Sequence, residues 1–173
     1  DLGWERIEFT DIEGGYGIVF GLAGAIAGGF LADRFGAKRI AAIGSIVLAF
    51  SYATFGLASP DSGIIPWFDW TNRPVVIGYI LVETWMASMI SVSLFAMYMT
   101  VSWPKVAATQ FTAYMAILNM STAFGLFMSG AINEAFSLPV IFIGAGVLQL
   151  VVIAIFPFID VHQARRVLGH KSS

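Results

Sequence analysis

Gly29-Phe30-Leu31-Ala32-Asp33-Arg34-Phe35-Gly36-Ala37-Lys38-Arg39 joins two apolar runs, residues 15–32 and 40–57. Each run is about long enough to cross a hydrocarbon core of roughly 30 Å as a helix. An acid, an arginine, a glycine and two further cations packed between such runs mark a turn at a membrane surface. Gly29 permits close helix contact and Gly36 a sharp turn. Asp33, at a helix end, is expected to pair with Arg34 or with a cation on a neighbouring helix. Such a pair would latch one conformation and release in another.

Composition points the same way. Hydrophobic residues make up 58% of the 173-residue chain and charged residues 12%, with a mean hydropathy of +0.81. Average soluble domains carry about 25% charge. With no cysteine, disulfides and thiolate metal sites are excluded. No cationic segment precedes the first apolar run, so no signal peptide is visible, and the first residue is Asp1 rather than Met. The chain is expected to be part of something longer.

Residues 1–14 read as an extracytoplasmic loop carrying Asp1, Glu5, Glu8, Asp11 and Glu13 against Arg6. Residues 15–159 read as an all-α bundle of five transmembrane helices, about 15–32, 40–57, 75–101, 106–132 and 138–159, and residues 160–173 as a cytoplasmic tail. In the first span Gly17, Gly21, Gly24 and Gly28 recur at helical spacing, an invitation to close helix packing. A nucleotide-binding glycine loop would need a strand before it and a solvated helix start after it, and neither is visible. Trp67, Phe68 and Trp70, in the loop before the third span, suit the headgroup region. Five spans put the two ends on opposite sides. Arg34, Lys38, Arg39, Lys105, Arg165, Arg166 and Lys171 fall on one side, and only Arg6 and Arg73 on the other. The positive-inside rule therefore orients the N-terminus outside and the C-terminus in the cytoplasm.

Gly29, Asp33, Arg34, Gly36, Lys38 and Arg39 together match the loop between paired helices in major facilitator transporters, and the chain resembles most of one half of such a transporter. Ala108-Thr109-Gln110-Phe111, opening the fourth span, is similar to a stretch of the AmpG-type permeases of that superfamily, whose bacterial members import cell-wall muropeptides. Ala107 stands where that family often has Ser, and Ala87 and Ser88 where it often has glycines after the acid. The resemblance implies the eighth to twelfth spans of a twelve-helix fold in the bacterial inner membrane. It also implies a missing N-terminal half, alternating access and proton-coupled symport of a small polar solute. Related permeases for siderophores or acyl-coenzyme A share the architecture.

Glu83 is the only ionisable residue well inside a span. It lies about eight residues into the third span, hence roughly 12 Å deep. An unpaired charge there costs at least a few kcal/mol, so the group must be neutral, paired or facing water. Glu83, Thr84, Ser88, Ser91 and Tyr98 share about 140° of arc at 100° per residue, an expected cavity wall. Glu83 is the candidate to bind a proton or a polar substrate group. In the fourth span Thr112, Met115, Asn119 and Thr122 share a second face, where Asn119 is expected to hydrogen-bond another helix or touch substrate. Thr109 and Gln110 either cap the fourth helix or gate the inner mouth. His162 and His170 have no companions that would make a metal site, and no cofactor or nucleic-acid partner is expected. Nothing resembles a nucleophile–base pair, so no enzyme is expected. A non-transporting scaffold or sensor derived from a transporter half is the alternative to a permease.

Overall fold

The computed structural model describes residues 12–59, 64 and 72–160. The expectations for most of the acidic N-terminal segment, for Trp67, Phe68 and Trp70, and for the histidine-bearing tail lie outside the described residues. A π-type turn, Ile12–Tyr16, leads into α1 (Gly17–Phe35); α2 (Ala37–Leu57), α3 (Arg73–Val101), α4 (Ala107–Ala135) and α5 (Leu138–Ile155) follow, and a 3-10 turn, Phe156–Phe158, closes the bundle. No strand occurs among the described residues. All five helices are long and apolar enough to cross a membrane.

The helices extend past the sequence-derived limits where charges were expected to break them. Between α1 and α2 only Gly36 is non-helical, with φ 95°. Asp33 and Arg34 therefore end one helix and Lys38 and Arg39 begin the next. A single residue suffices for the reversal because glycine enters positive φ without a Cβ clash.

Contact partners do not follow chain order. The extensive pairings are α1 with α3, α2 with α5 and α2 with α3, whereas α1 touches its neighbour α2 much less. Glycines set these seams. A Cβ on Gly24 would strike the Trp85 carbonyl oxygen and stand 3.0 Å from Trp85 Cα. One on Gly28 would stand 2.8 Å from Met89 Cα. At Gly29 it would meet only Val92 Cγ1 at 3.7 Å, so the close approach expected there occurs one residue earlier. On α5, Gly146 lies against the backbone of Ala49, where an added Cβ would come 2.8 Å from the carbonyl oxygen. In lipid such backbone proximity carries the packing energy, since apolar burial between helices gains little over lipid contact.

The outward faces are apolar. On α1, Ile18, Leu22, Ile26 and Phe30 form a stripe of which each member is 62–66% exposed. A stripe of this kind would be an aggregation hazard in water and is the expected surface in hydrocarbon.

Lys38 closes the bundle at the Gly36 end. Its ammonium donates to the Ile159 carbonyl at 2.7 Å, tying the start of α2 to the chain just beyond α5. A cation here satisfies a carbonyl that the helix end leaves open. Lys38→Met is expected to destabilise by about 1 kcal/mol, since charged hydrogen bonds are strong but this one is only part-buried. The check is the thermal midpoint in detergent, with the exposed Arg39→Met as control. Equal midpoints for the two variants would remove this role from Lys38.

Candidate functional site

Glu83 lies ten residues into α3, about 15 Å from its start at 1.5 Å per residue. It is half-buried and turned toward α2. The Tyr52 hydroxyl donates to Glu83 Oε1 at 3.0 Å. Aromatic rings surround this pair. Tyr52 and Phe142 of α5 meet at 6.4 Å between centroids, Phe55 stacks on Tyr79 at 3.9 Å, and Phe142 meets Phe55 edge-on at 4.9 Å. Phe55 and Ala58 form the buried core of this cluster. Three helices thus build the site: α3 brings the acid, α2 the donor and α5 an apolar wall. A phenol on a carboxylate stabilises the charge through a charge-assisted bond, yet also suits a protonated carboxyl.

The polar arc of α3 is not one wall. Thr84 and Ser88 face α1, where a Cβ on Gly21 would meet Ser88 Oγ at 3.2 Å and Thr84 Cγ2 at 3.5 Å. Thr84 and Ser91 donate to the carbonyls of Ile80 and Ala87, one turn back on their own helix. Ser91 is exposed. Tyr98 packs on Tyr114 of α4 with centroids 5.2 Å apart. An arc of that width reaches two neighbouring helices at once, which is why Glu83 and Ser88 part company.

α4 is held to α3 near its first two turns, by Phe95–Phe111 and Tyr98–Tyr114 ring contacts. Gln110 Oε1 also accepts the Trp103 backbone N–H at 2.7 Å, fixing the turn before the helix rather than capping it. Thr109 is exposed. None of the 29 residues of α4 is buried. Thr112 and Thr122 satisfy their hydroxyls within the helix, on Ala108 and Leu118 carbonyls. Asn119 is exposed and makes no hydrogen bond among the described residues, so the expected bond to another helix of this chain is not made.

At the Gly36 end, Asp33 is exposed and forms no ion pair among the described residues. Arg34 does not pair with it either; its guanidinium lies 5.6 Å from the centroid of the Phe35 ring. Asp33, Lys38 and Arg39 instead line a cavity of about 580 Å³ with Met97 and Thr100 of α3. A second cavity, a groove of about 390 Å³, lies between α2 and α3 toward the Arg73 end. Neither includes Glu83. Among the described residues no cluster of three or more His, Cys, Asp or Glu side chains could hold a metal ion.

Tyr52, the hydrogen-bond partner of Glu83, is the candidate residue that sequence reasoning missed. A tyrosine in a span reads as an interfacial aromatic, and nothing in one sequence says which helix α3 will face.

The model of one family, described as Major Facilitator Superfamily, matches residues 1–172. No curated protein and no solved structure matches the chain.

Proposed function

The chain belongs to the major facilitator superfamily, and on that premise we propose that it forms five helices from the C-terminal half of a proton-coupled permease of the AmpG type. The solute is a small polar one such as a muropeptide, imported by alternating access. Members of this superfamily move solutes across membranes rather than convert them. The observation that carries the proton-coupled reading is the Tyr52–Glu83 couple. It is an acid far from either end of its helix, held by one phenol, in a seam between helices. Intramembrane acids mark solute or proton paths by default, because an idle one would be a standing cost.

The same reading assigns the second half as partner. An asparagine amide facing hydrocarbon lacks the hydrogen bonds it would have in water, and a neighbouring helix is the usual remedy. With Asn119 unpaired among the described residues and α4 unburied, a further set of helices covering α4 is the natural complement. On this reading the cation count turns Gly36, Lys38 and Val101 toward the cytoplasm and Arg73 outward, and the membrane is the bacterial inner membrane that the AmpG-type resemblance implies. In that orientation the Asp33–Arg39 stretch faces the cytoplasm, at the point where the two helices reverse.

The test is uptake by the intact protein in liposomes under an imposed pH gradient, with muropeptide, siderophore and acyl-coenzyme A offered in turn. Accumulation of a muropeptide that collapses with a protonophore is expected. Uptake indifferent to the gradient would remove the proton coupling. Preference for another solute would keep the transporter and remove the AmpG-type substrate.

A further inference from the structure

Where α1 reverses into α2, the turn and the end of α3 leave between them the cavity of about 580 Å³. That lies within the roughly 300–1,000 Å³ of small-molecule sites. Ala32 and Met97, both buried, give it an apolar wall. Its polar groups sort into donors and acceptors. Lys38 and Arg39 donate, Asp33 accepts, and so does Thr100, whose own hydrogen goes to the Ala96 carbonyl at 2.8 Å. Lys38 uses one N–H on the Ile159 carbonyl and keeps two. Arg39 is exposed and has no hydrogen-bond or ion-pair partner among the described residues. Two cations against one acid leave the lining with a net charge of +1. Both cations stand in the first turn of α2, where the helix dipole is already positive and no acid offsets it. The cavity is short of an anion.

The exposed apolar stripe of α1 leads to the rim of this cavity. Asp33 follows Phe30 by three residues and lies within about 20° of Ile26 around the helix at 100° per residue. A ligand held by Lys38 and Arg39 can therefore lay apolar chains along Phe30 and Ile26, which a free anion does not have. We infer that the cavity is a headgroup site for an anionic phospholipid of the phosphatidylglycerol type. Its phosphate sits with Lys38 and Arg39, and its glycerol hydroxyls donate to Asp33 and Thr100. The single negative charge of that lipid answers the +1 of the lining. A choline headgroup carries no net charge and has no hydrogen to give Asp33. Basic pockets between membrane helices suit anionic headgroups on the same physical grounds.

This site is independent of the solute and of proton coupling. The test is a lipid titration of the delipidated intact protein in detergent, read by native mass spectrometry, with phosphatidylglycerol and phosphatidylcholine of the same acyl chains. One phosphatidylglycerol should bind roughly tenfold more tightly than phosphatidylcholine, given what basic side chains at a membrane surface contribute. Arg39→Gln removes an exposed charge without disturbing the packing and should weaken phosphatidylglycerol about fivefold, the share of one cation. Lys105→Gln removes a cation from the same end of the bundle but outside the cavity, and should bind as the native chain does. Equal affinity for the two lipids, or native affinity in Arg39→Gln, overturns the inference. So does an equal loss in Lys105→Gln, which would mean diffuse surface charge rather than a site. Displacement of the lipid by equimolar glycerol 3-phosphate would also overturn it, since the headgroup would then bind without the chains.

Discussion

Glu83→Gln is expected to abolish solute accumulation driven by a pH gradient while sparing solute exchange in the absence of one. The glutamine amide oxygen can still accept the Tyr52 hydroxyl, bonded to Glu83 Oε1 at 3.0 Å in the native structure. Glutamine is close to glutamate in volume, so the Tyr52–Phe142 contact and the Phe55–Tyr79 stack should stay in place. The substitution therefore removes one property, the ability to gain and lose a proton, and imitates the protonated acid permanently. A transporter frozen in the protonated form can still carry solute in both directions, so counterflow of labelled solute should persist. What it cannot do is return empty and deprotonated. Tyr52→Phe should differ in kind. It strips the carboxyl of its donor, so accumulation should survive with a displaced pH profile. The decisive measurement is accumulation ratio against external pH for native protein and both variants. If Glu83→Gln accumulated solute as the native protein does at every pH, Glu83 would not be the proton carrier.

That pair also shows where a single sequence stops being informative. The fold class was legible because hydrophobic length and charge placement are one-dimensional properties: a run either spans or it does not. Glu83 was legible for the same reason, as a lone acid in an apolar run. The glycines of α1 announced a close helix contact, but the partner was not written in them. The structure supplies α3 rather than the sequential neighbour α2. The α3 arc from Glu83 to Ser88 was assigned to one wall because a helical wheel knows angles and not neighbours. With α1 on one flank and α2 on the other, the same arc serves two seams. The Asp33–Arg39 stretch was legible as a turn but not in extent. Helix continues on both sides of Gly36, and Lys38 finds its acceptor 121 residues away. Asn119 was legible as costly, and its cost persists in the structure, with no partner among the described residues.

Gly24→Val is expected to be strongly destabilising, because α1 meets the α3 backbone there without room for a side chain. At Gly24 even a first side-chain carbon meets the Trp85 carbonyl oxygen and stands 3.0 Å from Trp85 Cα, and both are backbone atoms of α3 that no rotamer change can move. At Gly28 the obstacle is again backbone, Met89 Cα at 2.8 Å, with the flexible Met89 side chain beside it. Valine at Gly24 must push α1 off α3, and α3 carries Glu83. Overpacking of a tight seam costs about 1–3 kcal/mol even where neighbours can yield, and here they cannot. The loss should show as a lowered thermal midpoint and a broadened elution profile in detergent, with transport falling in parallel. Gly144→Ala is the control. That glycine is also helical, but an added methyl there meets nothing within 4 Å, so the change should be neutral or mildly stabilising by helix propensity. A Gly24→Val protein as stable as Gly144→Ala would mean that α1 does not ride on the α3 backbone. The small-residue face would then lose its packing role, and the alignment of Thr84 and Ser88 against α1 would go with it.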